Sequence, residues 1–384
     1  MKVVFLISSL TVCGGTHKQL LKLVEYCDKI GVEYKILTKD LDYNKTYSEF
    51  EERKNNIVVL NLPQATNGWK LLFRPFLYFY KLILLRKYVS AFDVVNIHDC
   101  GFEALTPAFY GKTVVWQVND LPYIFNLGVF SKRKTKLSDS FMRSFLKFAG
   151  KFVTVFTVNV SKNAERVYKV YKKKARVLYC GIEPLTISRT NDKTYERFKK
   201  GEINLLSTGV FLPYRNYESL IEVVSILRSK GINAHLNIIG KKQDEEYVAK
   251  IEEMILQKGL DQAVRICGQV SKDDFEKLHA DSDLFLFVNI EQSWGLAIFE
   301  AMSIGLPVIV SNSVGATEIL SDKNNAIFVD PTDTYTISSV IIDIMNKTDY
   351  YSYISSNARN FHEKYSWDDS YCSKMISIME EYSS

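Results

Sequence analysis

The chain has 384 residues, of which 47% are hydrophobic and 24% charged. That is enough apolar material for two full cores, and no apolar run is long enough to span a bilayer. The net charge of +5 hides an asymmetry: residues 1–200 hold 34 Lys and Arg against 17 Asp and Glu, residues 201–384 hold 15 against 27, so the first half suits an anionic surface or substrate such as nucleic acid, lipid or a phosphorylated acceptor.

The opening stretch reads as a buried strand, Val3–Ile7, running into Gly14-Gly15. A signal peptide would need a longer apolar core and a small-residue cleavage site. Two glycines there let backbone approach a ligand where a Cβ would clash, although a plain tight turn fits as well. The pair is not G-x-G-x-x-G, which counts against a dinucleotide oxidoreductase. His17–Ile30 follows as a helix with Leu20, Leu21, Val24 and Cys27 on one face, ended by Gly31. Further strands are expected at Tyr34–Leu37, Ile57–Leu60, Val94–Ile97, Val114–Val118 and Val153–Val158, with Ser161 as N-cap of a helix over Lys162–Tyr171. His98-Asp99 ends one of these strands, which makes His98 a modest acceptor-pocket candidate. Two segments combine aromatic and basic residues: Trp69–Tyr88, and Ser131–Lys151, where seven Lys or Arg face Asp139 alone. They fit an anionic membrane surface or, equally, core helices with solvated basic faces. The six cysteines show no C-x-x-C pair and no metal spacing. They read as small core residues in a reducing compartment, with the cytoplasm as the expected location.

From Glu183 to Gly201 the apolar periodicity lapses, as in a linker. The alternation restarts with strands at Ile203–Ser207, Ala234–Ile239, Val264–Ile266, Leu284–Val288 and Pro307–Val310. Short continuous apolar strands suit sheets covered on both faces. A loop carrying Gly209 and Arg215 follows the first of them; Gly240 and Lys241 follow the second, and Gly268 the third. Asp281-Ser282-Asp283 has the spacing of a metal motif but lies in a helix-to-strand turn, where a structural role is favoured; no essential metal is expected. In residues 283–320 a strand, a polar loop, a helix opened by Gly295-Leu296 and a second strand read as one strand–helix–strand unit. Its helix N-terminus suits a phosphate, and Glu300, about a turn further on, suits a ribose diol.

This last segment is similar to the nucleotide-sugar signature of retaining glycosyltransferases of the GT-B fold, family four, written E-G-F-G-L-x-x-x-E-A-M-A-x-G-x-P-V-I. Trp294, Gly295, Leu296, Glu300, Ala301, Met302, Gly305, Pro307, Val308 and Ile309 match. The first acidic position differs: Gln292 stands in register, with Glu291 one residue early. Val115–Pro122 resembles the family's V-W-T-x-H-D-x-x-P segment with Asn119 in place of the His, and an amide cannot serve as a general base. In the loop after Ser207, Arg215 takes the family's Lys position and Val210 its Arg position.

The resemblance implies two doubly wound Rossmann-like α/β domains facing a cleft, with a C-terminal helix returning to the first. The expected divisions are 1–183 on the acceptor side, a linker at 184–201, a donor domain at 202–360 and the returning helix at 361–384. It implies sugar transfer, with retention, from a nucleotide-diphosphate sugar to a glycan or lipid-linked acceptor, in cell-surface polysaccharide or glycolipid synthesis. Residues expected near the chemistry are Arg215, Asn119, and Gln292 or Glu291. Those expected around the nucleotide are Gly14, Gly15, Gly209, Arg215, Lys241, Gly268, Trp294, Gly295, Leu296 and Glu300. No cofactor, metal or nucleic-acid partner is expected; a peripheral position on the inner face of a membrane is. The alternative is a non-catalytic nucleotide-sugar-binding partner of another transferase.

Overall fold

The structure, a computed structural model, describes residues 1–63, 74–125, 137–290 and 294–383. The chain divides into two compact units, Met1–Gly181 with Trp367–Ser384, and Ile182–Ser366.

The first unit contains β1 (Lys2–Leu10), α1 (Gly15–Ile30), β2 (Glu33–Leu41), α2 (Glu49–Glu52), β3 (Ile57–Val59), α3 (Arg74–Val89), β4 (Val94–Ile97), β5 (Thr113–Val118), α4 (Leu137–Ala149), β6 (Val155–Val158), α5 (Ser161–Tyr171) and β7 (Ala175–Val177). Its seven strands are parallel in the order β3-β2-β1-β4-β5-β6-β7. The chain winds outward from β1 to β3, returns to lay β4 beside β1, and winds the other way. The carboxyl edge between β1 and β4 is thus a topological switch point, where such sheets open a crevice. Apart from the half-buried Thr113, the β-branched and aromatic side chains of β4–β6 are buried, with Trp116 tilted against Phe156 at 5.5 Å.

The second unit contains α6 (Asp192–Lys199), β8 (Glu202–Thr208), α7 (Tyr217–Ser229), β9 (Asn233–Ile239), α8 (Glu245–Gln257), β10 (Val264–Gly268), α9 (Lys272–Ala280), β11 (Leu284–Phe287), α10 (Leu296–Ser303), β12 (Val308–Ser311), β13 (Ile327–Val329), α11 (Thr334–Asn346) and α12 (Thr348–Phe361). Its parallel sheet runs β10-β9-β8-β11-β12-β13, with the switch point between β8 and β11. The chain then rejoins the first unit through a π-helical turn, Asp368–Cys372, and α13 (Ser373–Ser383). Gly181 leaves room for that return, since a Cβ there would lie 2.3 Å from the Trp367 Cα.

Several expectations are corrected. Residues 184–201 are not a linker: Arg189 is buried and donates to the Ser282 carbonyl, Thr194 Oγ1 and Tyr351 Oη, which ties α6 into the second unit. A buried cation that meets its acceptors leaves no hydrophobic period to read. The return begins at Trp367, so residues 361–366 belong to the second unit. Ser161 is the first helical residue and Val160 the cap. Strands β7 and β13, three residues each, had not been expected. Nor is every sheet face covered: Asn204, His235 and Asn237 are half-buried and border a cavity of about 590 Å³ beside β10. Asp283, by contrast, has the structural role expected of it, fully buried with Arg197 Nη2 at 2.5 Å and Thr194 Oγ1 at 2.6 Å.

Candidate functional site

At the switch point of the second unit, Gly209 follows β8 and the chain crosses to α7 through a 3₁₀ turn, Pro213–Arg215. Hydrogen bonds hold this crossing on every side. Phe211 N–H donates to the Lys241 carbonyl at 2.9 Å, and Ile290 N–H to the Tyr214 carbonyl at 2.8 Å. Asn216, at φ 56°, donates its amide to the Val288 and Pro331 carbonyls. Tyr217 Oη donates to the Gly209 carbonyl at 2.8 Å.

Glycines make the edge flat enough for this loop. A Cβ on Gly240 would stand 1.8 Å from the Gly209 carbonyl oxygen, and one on Gly209 would stand 2.6 Å from the Arg215 Cζ. Gly240 N–H in turn donates to the Gly268 carbonyl at 2.9 Å. Gly268, Gly240 and Gly209 therefore form a row across the ends of β10, β9 and β8, and Arg215 lies over the last of them. Gly240 is a packing requirement and not a plain strand-end turn.

Arg215 stacks its guanidinium on two rings, with Cζ 5.3 Å from the centre of Tyr214 and 5.8 Å from that of Phe287. Its Nε is buried with no hydrogen-bond partner among the described residues. Phe287 also abuts the start of α10: Gly295 caps that helix at φ 99°, and a Cβ on it would reach the Phe287 ring at 3.0 Å. One aromatic ring thus brings a cation with an unused donor and a helix N-terminus to the same edge, an anion-attracting pair. Trp294 is buried and tilted against Phe299 at 5.2 Å, so it supports the helix start. Leu296 and Glu300 are half-buried on α10, Glu300 at its fifth position. The Lys241 side chain is exposed. Glu291 and Gln292 lie outside the described residues.

In the first unit, Gly14 caps α1 with extended backbone and Gly15 is its first residue. Asn119 braces that turn. Its Nδ2 donates to Thr16 Oγ1 at 3.2 Å and Gln19 Oε1 at 2.9 Å, and its Oδ1 accepts from Gln117 Nε2 at 3.0 Å. Both amide hydrogens are therefore committed inside the protein. Asp120 still reaches solvent, but surrounding protein displaces enough water to push its carboxyl up to about 6, against the pull of Arg166.

His98 is fully buried, with Nδ1 3.2 Å from Asn96 Oδ1, and burial pushes it down to about 3. It belongs to the core and not to a pocket. Its neighbour Asp99, which the sequence reading passed over, occupies the switch point instead. Asp99 Oδ2 accepts from Ser8 N–H at 2.9 Å and from the Ser8 hydroxyl, Oδ1 is buried without a partner among the described residues, and burial raises its pKa. The His17 ring nitrogen Nε2 lies 2.8 Å from the Ser9 carbonyl, so it carries the proton, and burial lowers this pKa. The signal available was position: Asp99 stands two residues past the end of β4, at the carboxyl edge of the sheet.

Comparison with known proteins agrees with this geometry. The model of "Glycosyltransferase Family 4" matches residues 13–184, and that of "Glycosyl transferases group 1" matches residues 188–361. An uncharacterised glycosyltransferase of Methanocaldococcus jannaschii is 24% identical over 302 residues, 73% of each chain. The O-antigen chain mannosyltransferase RfbU of Salmonella typhimurium is 24% identical over 219 residues, 57% of each. HepE of Anabaena, solved with UDP and glucose, superposes with a TM-score of 0.74 at 16% identity, covering 99% of this chain and 100% of its own. Two parallel-sheet Rossmann-like units and two matched halves give one conclusion: the chain belongs to the family four, group 1 glycosyltransferases and has the GT-B fold.

Proposed function

We propose that this glycosyltransferase takes its sugar from a nucleoside-diphosphate donor and passes it, with retention of configuration, to a glycan or lipid-linked acceptor in cell-surface polysaccharide synthesis. The observation that carries the reading is the pairing of Arg215 and the α10 N-terminus about Phe287. That pair would neutralise a diphosphate as it leaves. Glu300 would accept from the ribose hydroxyls, and Gln292 or Glu291 would meet the sugar. The acceptor hydroxyl attacks the anomeric carbon from the side the diphosphate leaves. The carbon–oxygen bond to the diphosphate breaks, and a diphosphate oxygen takes the proton. No metal is needed, since Arg215 and the helix dipole supply the positive charge. The RfbU relative supports the acceptor class and HepE the donor class. All six thiols are free, which suits a reducing cytoplasm.

A second reading, a non-catalytic nucleotide-sugar-binding partner, is favoured by Val210 in the usual Arg position and by the committed amide of Asn119. Incubation with UDP-, GDP-, ADP- and dTDP-sugars and a short glycan or polyprenyl-linked acceptor separates the two. The transferase reading expects free nucleoside diphosphate and a product whose anomeric coupling in proton NMR matches the donor's. Donor binding without transfer or hydrolysis would favour the partner reading, and an inverted product would overturn retention.

A further inference from the structure

Helices α3 and α4 of the first unit lie side by side. Tyr78 meets Phe145 edge to face at 5.5 Å, and both helices are tied to the Glu103–Phe109 segment, through Tyr78 Oη to the Ala104 carbonyl at 2.9 Å and Thr106 Oγ1 to the Ala149 carbonyl at 2.7 Å. Their inward faces are apolar in the ordinary way, with Leu85, Val89, Leu146 and Ala149 buried. Their outward faces are not ordinary. On α3, Phe76, Phe79, Tyr80 and Ile83 repeat at helical spacing on the solvent side, with Phe76 73% and Ile83 70% exposed. On α4, Phe141 is 72% exposed and Phe148 is exposed seven residues later. A surface helix normally turns polar residues outward. Two adjoining helices that both turn rings outward mark an interaction surface.

We infer that the outward faces of α3 and α4 dock this chain on an anionic lipid bilayer. Charge selects the occupant. The α3 sequence holds Arg74, Lys81, Arg86 and Lys87 and no acidic residue. On α4 the one acid, Asp139, is buried, while Lys147 is exposed, and Lys151 Nζ lies 6.0 Å from the Phe148 ring centre. Apolar side chains bordered by cations are what a membrane interface with anionic headgroups takes up. A second copy meeting this face with its own would set cations against cations. A folded acidic partner would need a pocket for each protruding ring, whereas the headgroup–acyl boundary accommodates them without one. The inference deepens the lipid-linked form of the proposed reaction, but docking itself requires neither donor nor transfer.

The test is co-sedimentation of the full chain with phosphatidylcholine vesicles, with and without phosphatidylglycerol, at low and high salt. Two variants accompany it, Phe76→Ser/Ile83→Ser/Phe141→Ser and Lys87→Glu/Lys147→Glu. All five side chains face solvent, so unchanged melting temperatures are expected. Binding is expected to anionic vesicles only, to weaken with salt, and to fall by about tenfold or more in each variant, through lost apolar insertion in the first and two reversed charges in the second. Equal binding to neutral vesicles, no binding at low salt, or variants that bind like the wild type would overturn the inference. So would a wild-type dimer that the ring variant dissolves while vesicles capture neither form. Donor-induced melting shifts, read separately, show whether the donor reading stands.

Discussion

At the scale of single residues, Arg215 and His279 lead to the sharpest expectations. Arg215 has its guanidinium near the faces of two rings and one buried donor without a partner among the described residues. Lys would keep the charge but lose the planar fork. Arg215→Ala should therefore cut turnover by about a hundredfold, and Arg215→Lys should retain markedly more; steady-state kinetics checks this, and an Ala variant as active as the wild type would remove Arg215 from the chemistry. His279 is buried beside Phe275, 4.2 Å between ring centres, and donates Nδ1–H to the Phe275 carbonyl. Burial pushes it down to about 4. The unfolded chain takes up a proton near pH 6.5 and the folded one only near 4, so stability is lost as pH falls through that window, by about 2 kcal/mol at pH 5. Thermal melts between pH 7.5 and 5 should show that slope, and His279→Phe should reduce it while leaving the part that the buried His98 contributes; a slope unchanged in the variant would mean that His279 does not contribute. Little of this was legible in the sequence. His98 and His279 look alike there, as lone histidines, and only packing reveals that both are core residues.

Among the elements, the glycine row governs the switch-point edge of the second unit. Gly209 and Gly240 were visible as strand-end glycines, but the reason they are glycine is a contact between neighbouring strands that sequence spacing does not contain. Gly240→Ala should force the two strand ends apart, at about 1–3 kcal/mol of stability, and should displace the Arg215 loop. A melting curve with a nucleoside-diphosphate titration checks it: lower stability together with weaker binding is expected, and an unperturbed variant would contradict the packing argument. The long strands were legible because β-branched runs such as Thr113–Val118 are continuous and bounded by turn residues. β7 and β13 were not, since three residues carry too little pattern. Residues 184–201 were misread because Arg189 and Thr194 are buried by hydrogen bonding and not by hydrophobicity.

For the molecule as a whole, the family was legible from one segment, Trp294 to Ile309, whose glycine, acid and proline spacing reflects the demands of a helix start, a cap and a strand start at one sheet edge. The charge asymmetry was legible too, and the exposed rings of α3 and α4 give it a location. The grouping of Gly14, Asn119 and Asp99 in the first unit, and of Arg215 and Glu300 in the second, was not legible, because these residues share no sequence neighbourhood. The central claim is that the second unit's switch point holds a nucleoside diphosphate between Arg215 and α10. Calorimetric titration of UDP, GDP, ADP and dTDP into the wild type, Arg215→Ala and Glu300→Gln tests it most directly. At least one diphosphate should bind the wild type, and each variant, folded by its melting curve, should bind at least about tenfold more weakly, as loss of a charge-assisted hydrogen bond of about 1.5–3 kcal/mol requires. Failure of every diphosphate to bind, or variants that bind as tightly as the wild type, would contradict it.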